Sequence, residues 1–363
     1  MQVASRKSIS RYPVHRSPLY GLNSKRKFAE LLGVQLSDLK ELVAQGDENY
    51  KVWPMGPKRS DLLAGLPAKK KRIIQQPKIV LSVVQRRIGD LLGRIEVPDY
   101  LHSAIKGRSY LSNASAHLGR VPGFKVDIKD FYPSVRRSQI KSFFQNRLHC
   151  AHDVSSVIAD LCSYKGLLPT GTPVSPLLSF WACEEMFDQV KRVAGDLGLN
   201  FTLYVDDMFF SGESANERSA HKIVKILARH GFTGHKVVCF PMDAAKIITG
   251  VAVIGGQTSV PYSRQRRIRQ FEKAFYSEID PLKSQLLAQT LIGQFREAER
   301  LQQGSKLRAL EVERHLSKIV ARSGVSGTGG RKRRRSRPRP KVMTSSLRRA
   351  IALMRANRKG VGA

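Results

Sequence analysis

The chain has 363 residues, 41% of them hydrophobic, and a formal net charge of +34 at pH 7. This length and composition support a buried core in one large domain or two to three small ones, and they exclude a chain too polar to fold. A basic excess of this size favours a polyanionic partner, either nucleic acid or an anionic membrane. Thirteen basic residues and no acidic ones lie in residues 331–363, so residues 1–330 still carry a net charge of +21.

The sequence contains no signal for a membrane or for secretion. No apolar stretch approaches the roughly 18 residues needed to cross a bilayer. Residues 1–20 are basic but lack the apolar run of a signal peptide. The four cysteines are scattered without CxxC spacing, which is typical of reduced thiols. We therefore expect a cytoplasmic protein that does not contact a membrane.

The N-terminal third is predicted to be mainly helical. Leucine spacing predicts two short helices over residues 25–45, and Ser37 is expected to cap the second. Residues 50–53 form a candidate strand. Residues 69–72 are all basic and run into a short apolar strand, where they could bind a triphosphate or simply form a solvated loop. Residues 78–95 have the apolar spacing of an amphipathic helix.

Residues 111–117 contain Asn113 and His117, four positions apart. In a helix these two side chains lie on the same face. A histidine in this setting either has a functional role or is a satisfied structural side chain, and the local sequence leaves both open.

Residues 124–133 predict a strand that carries a carboxylate. Val126 and Ile128 alternate with Asp127, so the two apolar side chains face one way and the acid faces the other. A buried carboxylate without a partner is costly, and a metal ion would remove that cost. Tyr132 follows near the strand end and could form a wall of a ligand site. A helix with Ser138 as its cap is expected next.

Residues 166–176 form a loop rich in glycine, proline and hydroxyl side chains. Glycine permits close approach of a backbone to a ligand, and the helix predicted over residues 177–194 begins with free amides that could bind an anion or a base edge. An ordinary loop and helix cap would give the same pattern.

Residues 200–211 predict a hairpin with Asp206 and Asp207 at its turn. Two carboxylates at one turn suit a hard divalent cation such as Mg²⁺, whereas a solvated turn is the alternative. Keeping two acids where glycine would fold more easily suggests local strain. If the strand carrying Asp127 is a neighbour, the three acids could bind two metal ions for displacement at phosphorus.

The remaining chain is predicted to contain a helix over 221–230, strands over 237–240 and 247–253, and mostly helix over 264–320. Residues 323–340 are rich in Gly and Ser and then in Arg and Pro, a composition that cannot bury a core. A short basic amphipathic helix, capped by Thr344 or Ser345, is possible at the end. This tail could bind RNA, a partner or an anionic membrane, and RNA is the simplest choice for a basic protein.

Three segments together resemble the motifs of reverse transcriptases. Residues 204–207 (Tyr-Val-Asp-Asp) match the polymerase YxDD box. Residues 126–132 are similar to the palm strand that carries the first metal-binding aspartate, and residues 168–176 resemble the LPxGxxxSP box. The three occur in the expected order over about 80 residues.

Within that class, residues 25–320 are most similar to the retron reverse transcriptases of bacteria. Residues 113–117 match the retron NAxxH signature, beginning with Asn113 and ending with His117. Ile248, Thr249 and Gly250 resemble the VTG signature, with Ile in place of Val. Arg72 and the residues after it occupy the position of the entrance to the fingers.

The resemblance implies an α+β fold of the right-hand polymerase type. It implies an N-terminal helical region (1–60), fingers and palm (61–260), a helical thumb (261–322) and a flexible basic extension (323–363). It also implies a nucleotidyltransferase, an RNA-directed DNA polymerase that copies part of a structured non-coding RNA into a small single-stranded DNA. Priming from a guanosine 2′-hydroxyl would give a branched RNA–DNA hybrid, and the complex would serve in antiviral defence with an effector protein.

The same resemblance implies roles for single residues. Asp127, Asp206 and Asp207 would be the catalytic aspartates that bind two Mg²⁺ ions, and Tyr132 would be the gate against ribonucleotides. Arg72 would contact the triphosphate of the incoming dNTP.

Further candidates border the nucleotide site. Thr170 and Gly171 would line the pocket, and Lys236 would lie near the leaving pyrophosphate. Two positions depart from the family pattern. Thr170 replaces the usual Gln, so the nucleotide contact of that Gln does not carry over, and residues 234–237 lack the usual Lys-Thr ending beside Lys236.

Two alternatives remain open at this point. The first is another bacterial reverse transcriptase, of the abortive-infection or group II intron type, which the signatures at 113–117 and 248–250 disfavour. The second is a non-catalytic RNA-binding protein with a polymerase fold, which the three intact aspartates disfavour.

Overall fold

The computed structural model describes residues 11–68 and 71–322, in which helices and antiparallel sheets occur together. The predicted α+β class is confirmed. Lys69, Lys70 and the basic extension 323–363, with its predicted last helix, lie outside the described residues. The α-helices are α1 (Lys25–Leu32), α2 (Leu36–Gln45), α3 (Arg59–Leu63), α4 (Ile79–Leu92), α5 (Tyr110–Ser115), α6 (Phe131–Ser134), α7 (Arg137–Ser142), α8 (His152–Leu161), α9 (Ser175–Ala182), α10 (Glu184–Asp196), α11 (Glu217–Arg229), α12 (Tyr262–Ser277), α13 (Pro281–Ala298) and α14 (Ser305–Arg322).

The strands of the described residues form three antiparallel sheets. Strands β1 and β2 form a two-stranded ribbon, the central sheet has the order β4-β5-β3-β6, and β7, β8 and β9 form a small third sheet. The strands are β1 (Tyr50–Met55), β2 (Arg72–Pro77), β3 (Gly123–Ile128), β4 (Asn200–Tyr204), β5 (Asp207–Ser211), β6 (Gly234–Phe240), β7 (Lys246–Ile248), β8 (Val251–Ile254) and β9 (Gln257–Ser259).

The central sheet buries one face of β3 in the main hydrophobic core. Phe124, Val126 and Ile128 are buried, while Lys125 and Asp127 between them are half-buried. This is the alternation predicted from the sequence, because successive side chains of a strand point to opposite faces. The buried face therefore holds the strand in place, and the other face can carry charged groups.

A second hydrophobic cluster joins the C-terminal helices α12, α13 and α14. Ala64, which directly follows α3, packs into this cluster, and Asp61 of α3 accepts a hydrogen bond of 2.6 Å from Arg267 of α12. A segment assigned to the fingers region from the sequence thus contacts the helices assigned to the thumb. The division into four regions stays a prediction.

Several local predictions are wrong in detail. The helix predicted over 177–194 is two helices that meet at Cys183, and the strand predicted over 247–253 is a β7–β8 hairpin. The turn of that hairpin is made possible by positive φ angles at Thr249 (45°) and Gly250 (79°). Ser37 and Ser138 each lie one residue inside a helix and do not cap it.

In the part of the chain that the structure describes, no helix is long and apolar enough to span a membrane. All four cysteines are free thiols, of which Cys239 is exposed and the other three are buried.

Candidate active site

Asp127 lies near the C-terminal end of β3, an inner strand of the central sheet, directly opposite Asp207. The two residues are paired in the register of β3 and β5. Partners in an antiparallel pair have their Cβ atoms about 4.5–5.5 Å apart on the same face of the sheet. Like charges in this arrangement repel each other, so the fold must hold these two carboxylates together against a cost.

Asp206 lies in the turn of the β4–β5 hairpin, which the sequence predicts correctly except for its position. Tyr204 pairs with Asp207, so the two turn residues are Val205 and Asp206, one position earlier than predicted. Val205 has a φ of 62°. A positive φ is costly for a β-branched residue, and two-residue hairpins usually have glycine there. The local strain expected at the acids is therefore located at Val205.

The strained turn is held from outside the hairpin. The buried Ser103 accepts a hydrogen bond of 2.9 Å at its Oγ from the Val205 amide, and Ile128 of β3 donates its amide to the Asp206 carbonyl at 3.1 Å. These contacts fix the turn relative to β3. Ser103 has no sequence signal that would have identified it.

Two lysines and a histidine lie against the paired acids. Lys125 Nζ lies 3.3 Å from Asp207 Oδ2, and Lys236 Nζ lies 3.0 Å from Asp127 Oδ2. His235 Nε2 lies 3.8 Å from the same oxygen of Asp127. Lys236, which the resemblance assigns to the leaving pyrophosphate, thus lies at the acids, and Lys125 and His235 beside it were not predicted.

A bulge in β6 explains the position of Lys236. The register between β3 and β6 shifts between Lys125 and Asp127, and Lys236 has a φ of 50°. An extra residue in one strand bends it locally and redirects a side chain. The sequence 234–237 gave no pattern from which this bulge could be predicted.

Burial and mutual repulsion disfavour the ionised forms of Asp206 and Asp207. Burial, with the charge of Asp127 as the second cause, raises the pKa of Asp206 to about 6. Burial also raises the pKa of Asp207, against the opposing effect of Lys125. A divalent cation would relieve both causes.

The carboxylates fit a Mg²⁺ site by their chemistry. Hard divalent cations prefer carboxylate oxygens. Among residues 11–68 and 71–322, however, no group of three or more His, Cys, Asp or Glu side chains is already arranged around a common metal position. Lys125 forms an ion pair with Asp207, and Lys236 forms one with Asp127. Metal binding by Asp127, Asp206 and Asp207 would require these two ion pairs to separate.

Tyr132 stands beside the acids, at the end of the turn that follows β3. It lies in α6 and is half-buried. Burial raises the pKa of its hydroxyl, and the nearby charge of Asp206 adds to that effect. The side chain is therefore a neutral ring close to Asp206, which is compatible with the predicted wall of a ligand site.

The loop 166–176 connects this region to the β1–β2 ribbon. Its Leu168 donates an amide hydrogen bond of 2.9 Å to Val135, three residues after Tyr132. Thr170 donates from its amide and from its hydroxyl to Gln75 Oε1 of β2, at 2.9 and 2.8 Å. The loop therefore bridges the residues next to the acids and the ribbon.

Gly171 is required by the same contact. A Cβ added there would lie 2.4 Å from the Gln75 carbonyl oxygen and 2.9 Å from Ile74 Cγ2. The close approach expected of this glycine is to the ribbon backbone. The loop hydroxyls are used internally, since Ser175 Oγ donates to the Pro169 carbonyl at 2.7 Å and Thr172 Oγ1 accepts from the Ser175 amide.

The signature residues form a buried unit on the other side of β5. Asn113 is buried in α5 and donates to Thr249 Oγ1 at 3.4 Å, and Ile248 is buried beside them. Thr249 in turn donates to the Tyr110 carbonyl at 3.1 Å. Direct RNA contact by Asn113 or Ile248 does not agree with this burial, whereas Thr249 is half-buried and Gly250 is exposed.

His117 is also buried, and it holds the hairpin. Its Nδ1 lies 2.7 Å from Ser211 Oγ of β5, and its Nε2 lies 2.7 Å from Thr202 Oγ1 of β4. Burial lowers its pKa to about 3, so the ring is neutral at physiological pH. Of the two possibilities left open by the sequence, the structure favours the structural histidine and does not agree with direct RNA contact.

Arg72 is exposed at the start of β2, three residues before Gln75. The structure therefore places it on the ribbon that contacts Thr170, while it places Asp127, Asp206, Asp207, Tyr132 and Lys236 together at the sheet.

Comparison with known proteins finds similarity to several retron reverse transcriptases. The chain is 26% identical over 258 residues to the retron Ec86 reverse transcriptase of Escherichia coli, covering 68% of this chain and 77% of that protein. It is 27% identical to the retron Se72 reverse transcriptase of Salmonella heidelberg, covering 59% of this chain and 54% of that protein. The retron Mx162 reverse transcriptase of Myxococcus xanthus is 26% identical, covering 70% of this chain and 59% of that protein.

No protein-family model matches the chain. A solved foamy viral protease–reverse transcriptase in complex with double-stranded DNA aligns with 88% of this chain and 53% of its own, at 16% identity and a TM-score of 0.40, a score too low to support a conclusion. The similarity to the retron enzymes confirms the resemblance predicted from the motifs. This similarity supports a retron-type reverse transcriptase, that is, an RNA-directed DNA polymerase.

Proposed function

We propose that this retron-type reverse transcriptase copies part of a cognate structured non-coding RNA into single-stranded DNA. Synthesis starts from an RNA 2′-hydroxyl and gives a branched RNA–DNA hybrid. The complex acts in antiviral defence together with an effector protein encoded nearby. The similarity to retron enzymes over about two thirds of the chain supports this proposal.

The observation that carries the polymerase reaction is the opposition of Asp127 and Asp207 across β3 and β5, with Asp206 in the adjoining turn. We assign two Mg²⁺ ions to these three carboxylates. When bound, Mg²⁺ lowers the pKa of an attacking hydroxyl and neutralises charge on the phosphates. The protein must hold the acids close together and ionised, which the strained turn and the neighbouring lysines support.

The other residues around the acids bind the nucleotide. Lys236, which lies 3.0 Å from Asp127, turns to the leaving pyrophosphate and neutralises it. Tyr132 closes the site beside Asp206, where a ring crowds a 2′-hydroxyl and selects dNTPs over ribonucleotides. Arg72 on the exposed ribbon binds the triphosphate, and Thr170 and Gly171 hold that ribbon against the pocket.

The RNA is held by the basic surface of the protein. Residues 1–330 carry a net charge of +21, which attracts phosphates at low salt. Thr249 and Gly250 are the signature residues placed near the surface, and Asn113 supports Thr249 from below. We assign RNA contact to this turn, with the buried signature residues fixing its shape.

The central sheet is the palm, the β1–β2 ribbon belongs to the fingers, and α12–α14 form the thumb.

The test is incorporation of labelled dNTPs on co-purified RNA with Mg²⁺. Wild type is compared with the double variant Asp206→Asn plus Asp207→Asn, and Asp196→Asn is a control because Asp196 is exposed on α10. We expect incorporation by wild type and by the control, and none by the double variant. Equal incorporation by all three would overturn the assignment of the site, and no incorporation by wild type would favour a non-catalytic RNA-binding protein.

The priming step has its own test. DNA that co-purifies with the chain should migrate with RNA after denaturation until a debranching enzyme is added. Recovery of unbranched DNA before that treatment, in cells that lack trimming activity, would support another type of bacterial reverse transcriptase.

A further inference from the structure

Gln75 is positioned with its side-chain oxygen held and its amide nitrogen free. Its Oε1 accepts two hydrogen bonds from Thr170, from the backbone amide and from the hydroxyl. A backbone N–H can only donate, so the oxygen of the carboxamide must face Thr170 and the nitrogen must point away. Among the described residues, no acceptor lies within hydrogen-bond distance of Nε2.

Thr170 fixes the ribbon strand at this point as well as the side chain. Its hydroxyl also lies 3.0 Å from the Ile73 carbonyl, and the neighbouring Gly171 touches the backbone of Gln75. The carboxamide therefore has little freedom to rotate. An amide whose oxygen is held in this way presents two N–H donors in a fixed direction, which reduces the entropy lost when a ligand binds.

The loop that holds Gln75 is itself attached to the segment beside the acids. Tyr132 is next to Asp206, and its carbonyl accepts a hydrogen bond of 3.1 Å from Val135. Val135 accepts the amide of Leu168, two residues before Thr170. Hydrogen bonds thus link the segment that carries Tyr132 to the loop, and the loop to Gln75.

We propose that Gln75 binds the incoming deoxynucleoside triphosphate, donating from Nε2 to one of its acceptor oxygens, with Thr170 as its positioning residue. In this chain a threonine in the loop and a glutamine on the ribbon together supply the amide. This inference rests on the proposed polymerase function.

The decisive variant is Gln75→Glu, measured in the complete enzyme–RNA complex. A carboxylate keeps both hydrogen bonds from Thr170, so the ribbon stays attached, but it has no N–H to donate. Gln76→Glu is the matched control, because Gln76 is exposed on the same strand and adds the same charge. The readouts are KM for the dNTP, kcat and melting temperature.

We expect Gln75→Glu to raise KM for the dNTP by about tenfold, the effect of losing one hydrogen bond to a charged ligand, with kcat and melting temperature little changed. Gln76→Glu should leave KM within about twofold of wild type. Equal KM values for the two variants would overturn the role of Gln75. A loss of kcat with unchanged KM would also overturn it. Wild-type incorporation of dNTPs in the same assay shows that the polymerase function stands even if Gln75 plays no part.

The reciprocal variant tests the pairing with Thr170. In Gln75→Ala plus Thr170→Gln, the amide is supplied from the loop instead of the ribbon. KM for the dNTP should be closer to the wild-type value in this double variant than in Gln75→Ala alone. A double variant with a KM as high as that of Gln75→Ala, at wild-type melting temperature, would count against a shared amide function.

Discussion

At the scale of single residues, the acids of the site oppose stability. Asp206 must give up solvation and approach Asp127 when the chain folds, and its pKa rises from 3.8 to about 6. This change corresponds to roughly 3 kcal/mol of destabilisation once the group is ionised. Under the proposed function these acids serve the chemistry, and the buried face of the sheet offsets their cost to stability.

The variant Asp206→Asn should accordingly be inactive but more stable. A folded-state pKa above the unfolded value means that Asp206 contributes stability below pH 3.8, which is lost as the pH rises to about 6. Asparagine does not ionise, so the variant does not lose stability in this pH range. In a buffer with a chelator, we expect the variant to melt a few degrees above wild type at pH 7.5 and at nearly the same temperature at pH 4.

Asp196→Asn is again the control for this measurement, since an exposed acid should show neither effect. A melting temperature for Asp206→Asn equal to or below that of wild type at pH 7.5 would contradict the cost of ionising the buried Asp206. Polymerase activity of wild type should also fall as the pH drops below about 6, because protons then compete with Mg²⁺ for Asp206.

Tyr132 gives the second prediction at this scale. Its ring lies near Asp206 and is neutral, so its expected contribution is to occupy space. Tyr132→Ala should raise incorporation of ribonucleotides relative to deoxynucleotides by about tenfold, since one small group in a pocket discriminates by that order. Tyr132→Phe keeps the ring and should keep the selectivity. Unchanged sugar selectivity in Tyr132→Ala, measured by competition of NTP with dNTP, would remove Tyr132 as the gate.

At the scale of secondary-structure elements, the β4–β5 hairpin depends on a histidine outside it. His117 bonds to Thr202 of β4 and Ser211 of β5, and all three side chains are buried. His117→Ala removes two hydrogen bonds, leaves two hydroxyls unpaired and opens a cavity. We expect a loss of about 2–4 kcal/mol in the free energy of unfolding, measured by denaturant titration.

The pH dependence of the stability difference distinguishes a buried neutral imidazole from a side chain that only fills a cavity. A folded-state pKa of about 3, below the usual 6.5, means that the contribution of His117 is complete above pH 6.5 and is lost as the pH falls from 6.5 towards 3. The stability difference between wild type and His117→Ala should therefore shrink on acidification. His221→Ala, at an exposed position of α11, should change neither stability nor its pH dependence. A difference independent of pH would contradict the buried neutral imidazole.

The elements also show what the sequence can and cannot predict. The alternation in β3 and the hairpin at 200–211 follow from local pattern, since one buried face fixes which way each side chain points. The contacts of Ser103, Lys125 and Gln75 could not be predicted from the sequence, because each contact joins two segments that are distant in the chain. The bulge that aims Lys236 at Asp127 depends on pairing with β3, which no local pattern records.

At the scale of the whole molecule, a small cluster of acids and lysines occurs in a strongly basic chain. The acids and their lysines form a small cluster at one end of β3 and β5, while residues 1–330 as a whole carry a net charge of +21. The net charge of the chain therefore attracts a polyanion, whereas the proposed reaction takes place at the acids alone. The strength of this attraction depends on salt, because binding releases counterions from the phosphates.

The basic tail offers a test of how that charge is used. Residues 331–363 carry thirteen basic side chains and no acid. Each contact with a phosphate of single-stranded RNA adds about 0.7 to the slope of log K against log salt. Replacing the thirteen basic residues by glutamine keeps the chain length constant. This variant should bind the cognate RNA more weakly, and the slope of log K against log salt should become smaller in magnitude by several units. Filter-binding assays between low and physiological salt measure both effects. Deleting residues 331–363 should have the same effect, because the charges and not the length of the tail make the contacts. If neither variant changes the slope, the tail does not touch phosphate, and the +21 charge of residues 1–330 alone holds the RNA.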